Sequence, residues 1–482
     1  MDLIHTLLVK KPNEAKKSTI RYHDIGNYLS RKEKISQLNT FKDIGSNLIN
    51  WVTISPNNEG DWLNQRNSEF ENFFPMDPLK KFDLKTKSVF KTYAIGIASN
   101  RDSWVYNFSK NEIKNNMKKF INFYNEQVRL YKDAKLKSNN IKVEDFIDSD
   151  YTKISWTRGL RKDVERGRTH TYDDTNITKG LYRPFCKINL YFDRPLIESP
   201  GIFNQLFPHV GCTNLIITLP GLGERRGFAT FISNSICDLN MYDGGSQCFP
   251  LYYYEENKVQ QKGLFDGDDS QKYVRRDAIS DFILERAKQQ YGKTVTKEDI
   301  FYYVYGFLHS KEYRETFAND LKKMLPRLPL VEDVKNFWAF SKAGRKLAEL
   351  HINYEEVPPY DGVEISGDST GFFRVEKMRF PKKKQKETII YNSRIQISNI
   401  PAKAYEYVVN GKSAIEWIME RYQVTVDKAS GIKNDPNDWA DEVGNPRYIL
   451  DLLLSIINVS VQTVDIVNGL PKLDFNMDEP TL

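Results

Sequence analysis

Catalysis on nucleotides, peptides or bases needs particular residue types at particular spacings, and this sequence contains few of them. Nucleotide hydrolysis calls for a phosphate cradle of the form G-x-x-x-x-G-K-[ST], which does not occur. The nearest glycine-rich run is Pro220-Gly221-Leu222-Gly223-Glu224-Arg225-Arg226-Gly227. Glu224 would oppose a phosphate there, and Gly221, Gly223 and Gly227 miss dinucleotide-loop spacing by one residue. A turn that presents two arginines is the better reading. Amino methylation of a base requires an amide or carboxylate ahead of Pro-Pro-aromatic, but Val357-Pro358-Pro359-Tyr360 places valine at that position. The carboxylates Asp266, Asp268 and Asp269 form a cluster that a solvated loop explains better than a metal site. The six histidines are scattered, without metal-ligand spacing or a G-x-S-x-G elbow. No catalytic set and no metal site emerge.

What remains is positive charge in clusters. The chain has 482 residues, with 70 Lys and Arg against 64 Asp and Glu, a net charge of only +6. The excess is concentrated. Residues 151–170 hold Lys153, Arg158, Arg161, Lys162, Arg166 and Arg168 against Asp163 and Glu165. Residues 374–388 hold Arg374, Lys377, Arg379, Lys382, Lys383, Lys384 and Lys386 against Glu376 and Glu387. In Ser155-Trp156-Thr157-Arg158-Gly159-Leu160-Arg161-Lys162, an aromatic ring and hydroxyls alternate with bidentate donors. Arginine can pair with the O6/N7 edge of guanine, while lysine and hydroxyls hold phosphates. The competing reading is that these arginines simply solvate a surface or pair with Asp163, Glu165 and Asp173.

Several elements must position these groups. Ser30 caps a helix over 29–41, with Ile35, Leu38 and Phe41 at helical spacing. Strands are expected at Leu3–Val9, Ser18–Tyr22 and Asn50–Ile54. Ser109 and Glu112 form a capping box ahead of an apolar stripe through Ile113, Met117, Phe120, Ile121, Tyr124 and Val128, so 109–146 is mostly helical. From 151 to 275 the pattern becomes β-rich, with strands at Lys187–Phe192, Leu215–Leu219, Phe228–Ser233 and Cys248–Tyr254. Helices return at 277–291, 297–308, 310–324 and 331–350. Short strands follow over 363–400, then helices at 413–422 and 447–468. His309 and His351 fall on aromatic helical faces, as core residues would. Cys186, Cys212, Cys237 and Cys248 are too sparse for a disulfide framework or zinc site and read as reduced thiols. Unbroken apolar runs such as Leu215–Leu219 are far shorter than the roughly 20 residues of a membrane span, and no signal peptide is visible.

Read in order, many stretches resemble the C-terminal specificity (target-recognition) region of type ISP restriction-modification enzymes. They are Ile25-Gly26-Asn27-Tyr28-Leu29-Ser30-Arg31-Lys32-Glu33-Lys34, Gly60-Asp61-Trp62-Leu63-Asn64-Gln65-Arg66, Phe90-Lys91-Thr92-Tyr93 and Asn100-Arg101-Asp102-Ser103-Trp104. Tyr182-Arg183-Pro184-Phe185, Tyr191-Phe192-Asp193-Arg194-Pro195, Phe249-Pro250-Leu251-Tyr252 and Asp299–Ser310 follow, then Leu325-Pro326-Arg327-Leu328-Pro329, Ser413–Ile418 and Asn434-Asp435-Pro436-Asn437. The resemblance implies an α+β fold: a β-rich DNA-recognition core flanked by helical layers, with an N-terminal strand orphaned from a methyltransferase-type sheet. It implies a remnant of a methyltransferase domain over 1–24 and a largely helical part over 25–150. A β-rich target-recognition core over 151–400 carries a helical insert at 277–350, and a helical part covers 401–482.

The function the resemblance implies is sequence-specific recognition of duplex DNA, directing adenine methylation or cleavage carried by another domain or chain. The partners are double-stranded DNA and methyltransferase, motor and nuclease parts on an upstream or separate polypeptide, with no membrane, in a bacterial cytoplasm. S-adenosylmethionine belongs to the missing methyltransferase domain, and this chain holds no cofactor. Expected DNA contacts are Arg158, Arg161, Lys162 and Arg168, with Arg225 and Arg226 from the glycine turn and Lys382, Lys383 and Lys384 on phosphates. Motifs such as Tyr182–Phe185 and Asn100–Asp102 are expected to hold the fold. Two alternatives stand beside this: an adenine methyltransferase or endonuclease subunit active in its own right, and an assembly module that binds no DNA.

Overall fold

The computed structural model describes residues 19–26, 29–138, 140–209, 211–257 and 272–475. The strand expected at Leu3–Val9 and the carboxylates Asp266, Asp268 and Asp269 lie outside the described residues. The chain forms two compact units, divided between Ser68 and Glu69.

In the first unit, Ile20–Tyr22 pairs antiparallel with Val52–Ile54. Helix α1 (Arg31–Phe41) starts at a complete capping box: Ser30 Oγ accepts from the Glu33 N–H at 3.3 Å, and the Glu33 carboxylate accepts from the Ser30 N–H at 2.6 Å. None of its residues is buried, so the cap rather than a core holds it.

The second unit has one contiguous apolar core running from Phe70 to Val464. The boundaries expected at 150/151 and 400/401 therefore fall inside a single unit. Helix α2 (Lys110–Lys137) buries the whole expected stripe, from Ile113 to Val128. Ser109 caps it by accepting from the Glu112 N–H at 2.9 Å. The other half of the expected box comes from elsewhere in the chain. Glu442 accepts from Ser109 Oγ (2.5 Å) and from the N–H groups of Lys110 (2.9 Å) and Asn111 (3.2 Å), which places a carboxylate over the helix N-terminus. Asn107 Nδ2 donates to the Lys433 carbonyl at 3.0 Å, and the Phe108 N–H donates to Asn434 Oδ1 at 2.9 Å. Residues more than three hundred positions apart thus close the unit.

Helix α3 (Arg158–Glu165) follows, inside the stretch read as β-rich. The sheets are assembled from β1 (Ala94–Ile95), β2 (Tyr106–Asn107), β3 (Ile177–Arg183), β4 (Cys186–Tyr191), β5 (Ile216–Pro220), β6 (Phe231–Ser233), β7 (Ile236–Cys237) and β8 (Ser246–Pro250). One sheet has the order β7-β3-β4-β2, with β7 parallel to β3, and the other is antiparallel with the order β1-β8-β5-β6. The β-rich core therefore takes its first strands from upstream of residue 151. The single strand expected at Cys248–Tyr254 breaks at Leu251, and β9 (Tyr252–Glu256) and β10 (Tyr273–Asp277) form a separate two-stranded ribbon.

Helices α4 (Lys297–Phe307) and α5 (Val334–Ile352) cross where Gly306 meets Gly344. A Cβ on Gly306 would lie 2.1 Å from the Phe340 carbonyl oxygen, and one on Gly344 would lie 1.9 Å from that of Tyr302. Only glycine permits this approach. The helix expected over 310–324 is two short helices, because Phe317 leaves helical geometry (ψ 25°) to bury its ring against Phe70 and Phe73. Helix α6 (Ala414–Arg421) starts at the Ser413–Glu416 capping box. Helix α7 (Tyr448–Asn468) corrects the reading of short apolar runs: it is long and apolar enough to cross a membrane. Asp451, Ser455, Ser460 and Thr463 interrupt the run in sequence, and most of the helix is buried in the core. His351, on α5, is held by the Tyr305 hydroxyl at 2.6 Å and by Thr463 Oγ1 at 2.9 Å. All four cysteines are free, and Cys212 alone is not fully buried.

Candidate nucleic-acid interface

Helix α3 presents the first basic cluster. Thr157 caps it, its Oγ1 accepting from the Leu160 N–H, while Leu160 and Val164 turn inward and are fully buried. At 100° per residue this puts Arg158, Lys162 and Glu165 on the outer face, with Arg161 at its edge. Arg158 and Lys162 are exposed and Arg161 is half-buried. Among the described residues none of these three cations forms an ion pair. Arg161 Nε is buried without a partner. Arg168 differs: its guanidinium lies 3.3 Å from Asp163. Its backbone is pinned to α2, the Tyr124 hydroxyl donating to its carbonyl at 2.9 Å. Pairing with a carboxylate thus engages Arg168 and not the other three.

The glycine-rich run is a turn, as expected. Gly223 and Gly227 take the left-handed backbone (φ +82° and +86°). The Glu224 carboxylate is buried beneath it, accepting from the N–H groups of Arg226 (2.7 Å) and Gly244 (3.1 Å), so its role is structural. Arg225 is 84% exposed, with Asp243 no nearer than 3.9 Å. Arg226 is bound to Asp243 at 2.9 Å and lies against Gly411. Lys382, Lys383 and Lys384 stand exposed on a turn closed by the Gln385 N–H to the Lys382 carbonyl (2.9 Å). Their neighbours are structural: Lys386 binds Glu416 at 2.8 Å and Arg374 binds Asp441 at 2.7 Å. The fold thus joins the glycine turn and the lysine turn to one support, residues 408–421, through Arg226–Gly411 and Lys386–Glu416. Helix α3 stands on another, formed by α2 and the loop at 196–198.

The motifs expected to hold the fold do so. Arg101 is buried and donates to the Leu196 carbonyl (2.6 Å) and Thr157 Oγ1 (2.7 Å), so it fixes the start of α3. Burial lowers its pKa to about 10. Asp102 accepts from Ser99 and from the Tyr182 hydroxyl. Arg183 pairs with buried Asp238 at 2.7 Å. Burial outweighs that pairing and raises the Asp238 carboxyl to about 7.

Two clefts among the described residues bear on the site. The larger, about 540 Å³, lies beside Lys288, Lys293 and Lys297, and there Lys297 is neutralised by Asp281 (2.6 Å) and Asp277 (3.4 Å). The smaller, about 340 Å³, lies beside the start of α3 and is lined by Asn100, Arg101, Asp102, Tyr151, Ser155 and Asn240, among others. Sequence reasoning missed this second cleft. Asn100 was visible only as part of a fold-holding motif, and nothing in the sequence marked Asn240. Among the described residues no group of His, Cys, Asp and Glu could hold a metal ion.

Small sheets wrapped by helices, with free cations on an outward helix, give this unit a surface suited to a polyanion. Residues 88–452 match the Type ISP C-terminal specificity domain, and the chain belongs to that family. It is similar to a nuclease-deletion mutant of the Type ISP restriction-modification enzyme LlaGI in complex with a DNA substrate mimic, with 39% identity and a TM-score of 0.80 over 97% of this chain and 40% of that one. The ATP-dependent Type ISP restriction-modification enzyme LlaBIII bound to DNA is 36% identical, with a TM-score of 0.84 over 97% of this chain and 28% of that one. DrdV in its DNA complex is 27% identical, with a TM-score of 0.77 over 95% of this chain and 44% of that one. The chain thus spans less than half the length of each of these enzymes. No curated protein sequence matches it.

Proposed function

We propose that this chain recognises duplex DNA as the specificity part of a restriction-modification system, with adenine methylation or cleavage carried by another domain or chain. The observation that carries the reading is the outer face of α3. Arg158, Arg161 and Lys162 sit there without ion-pair partners, on a helix whose cap is fixed from beneath by Arg101. The DNA-bound relatives support it. Unpaired guanidinium and ammonium groups at a preorganised surface attract phosphates and release counterions, and arginine adds the option of pairing with guanine. Lys382, Lys383, Lys384 and Arg225 extend the contact, whereas Arg168 and Arg226 contribute less because their charges are already engaged. S-adenosylmethionine binding and methyl transfer belong to the other part of the system. Fluorescence anisotropy with labelled duplexes tests the reading: the chain binds at low salt, and a random-duplex selection yields one preferred sequence.

A further inference from the structure

We propose that the 340 Å³ cleft beside α3 is a nucleobase site, which takes one base displaced from the duplex stack; this rests on the DNA-binding reading above. The cleft, about 340 Å³, is near the small end of the usual range for ligand pockets, about 300–1,000 Å³, and has room for a planar ring system. Its chemistry selects the occupant. The one cation that lines it, Arg101, is buried and turned to Thr157 and the Leu196 carbonyl, so no free positive charge is offered to a phosphate. Asn100 and Asn240 line the cleft and are exposed, and their side chains have no hydrogen-bond partner among the described residues. Each offers one acceptor and two donors, the pattern that pairs with the edge of a base. Tyr151, 62% exposed and also without a partner, offers a face on which a ring can stack.

The backbone beneath the two asparagines is held in place. Asn100 is held in the left-handed region (φ +54°), a conformation asparagine tolerates, and its carbonyl accepts from Ser155 Oγ at 3.3 Å. Asn240 sits in a one-turn helix whose cap, Asp238, is fixed by Arg183. Ser155 is three residues from Arg158, so a base in the cleft would carry its own phosphate towards the free cations of α3.

The test uses the 482-residue chain and a random-duplex selection, followed by affinity measurements on the selected site for wild type, Asn240→Ala, Asn100→Asp and Tyr151→Ala. The variants lose discrimination at one base pair by roughly 5- to 150-fold while affinity for unselected duplex stays unchanged. A mismatch at that pair reduces the cost of unstacking, so wild type binds the mismatched duplex several-fold more tightly than the paired one. Discrimination that survives in all three variants overturns the proposal, and so does weaker binding to the mismatch, which is the mark of a base read in place. A wild type that binds no duplex at low salt overturns the DNA-binding reading and this one with it.

Discussion

Replacing Arg158, Arg161 and Lys162 together by alanine removes three cations that have no partner in the protein. Their loss costs no intramolecular ion pair, and Leu160 and Val164 still anchor α3, so the variant stays folded. Each phosphate contact contributes a slope of about 0.9 to the dependence of log affinity on log salt. Three lost contacts therefore lower the slope by about 2.7. Between about 50 and 200 mM salt, the wild type should then lose roughly 40-fold more affinity than the variant. The assay is anisotropy titration on one duplex at four salt concentrations, with circular dichroism as the check on folding. Arg168→Ala and Arg226→Ala are the internal controls. Their partners, Asp163 at 3.3 Å and Asp243 at 2.9 Å, compete with phosphate, so each lowers the slope by less than one full contact. A triple variant with the wild-type slope, or one that changes it no more than the controls, refutes the reasoning.

Three further outcomes concern the scaffold. Burial holds the His351 imidazole neutral in the folded chain, at a pKa of about 3 against 6.5 when exposed. Between these values the unfolded chain takes up a proton that the folded one does not. Stability is therefore whole above pH 6.5 and falls below it by about 1.4 kcal/mol per pH unit for this one group, or about 2 kcal/mol at pH 5. His309 is shifted in the same direction and adds to the loss. Urea unfolding at pH 7 and 5 measures this, and His351→Gln that leaves the acid limb as steep as before contradicts it. Glu442→Ala strips the start of α2 of its carboxylate and costs about 0.5–2 kcal/mol, seen as a lower thermal midpoint; an unchanged midpoint means the contact is idle. Gly344→Ala drives a methyl group into the Tyr302 carbonyl and costs at least about 1–3 kcal/mol. A variant as stable as wild type would show that α4 and α5 separate freely.

How legible the molecule was depended on the length of each signal. Helix α2 could be read because its stripe repeats from Ile113 to Val128 behind a serine cap, and α1 declares itself through Ser30. Strands β1 and β2 are two residues long and take their identity from partners more than eighty residues away, so no local period marks them. Helix α3 has only Leu160 and Val164 on its inner face, too few to reveal a helical repeat, although its charge was plain. The candidate site divided in the same way. Charge clustering pointed to Arg158, Arg161 and Lys162. The ion pairs that engage Arg168 and Arg226, and the cleft between Asn100 and Asn240, exist only after folding brings distant segments together.

The contacts between residues 107–111 and 433–442 have a bearing on biogenesis. A nascent chain still tethered to the ribosome short of residue 433 has nothing to offer the Asn107 amide or the start of α2. Its first sheet must wait with one end unsealed, exposing sticky surface to chaperones. The 69–475 unit therefore cannot close before residue 442 has left the ribosome, and proteolytic trimming from its carboxyl end should dismantle the amino-terminal half as well.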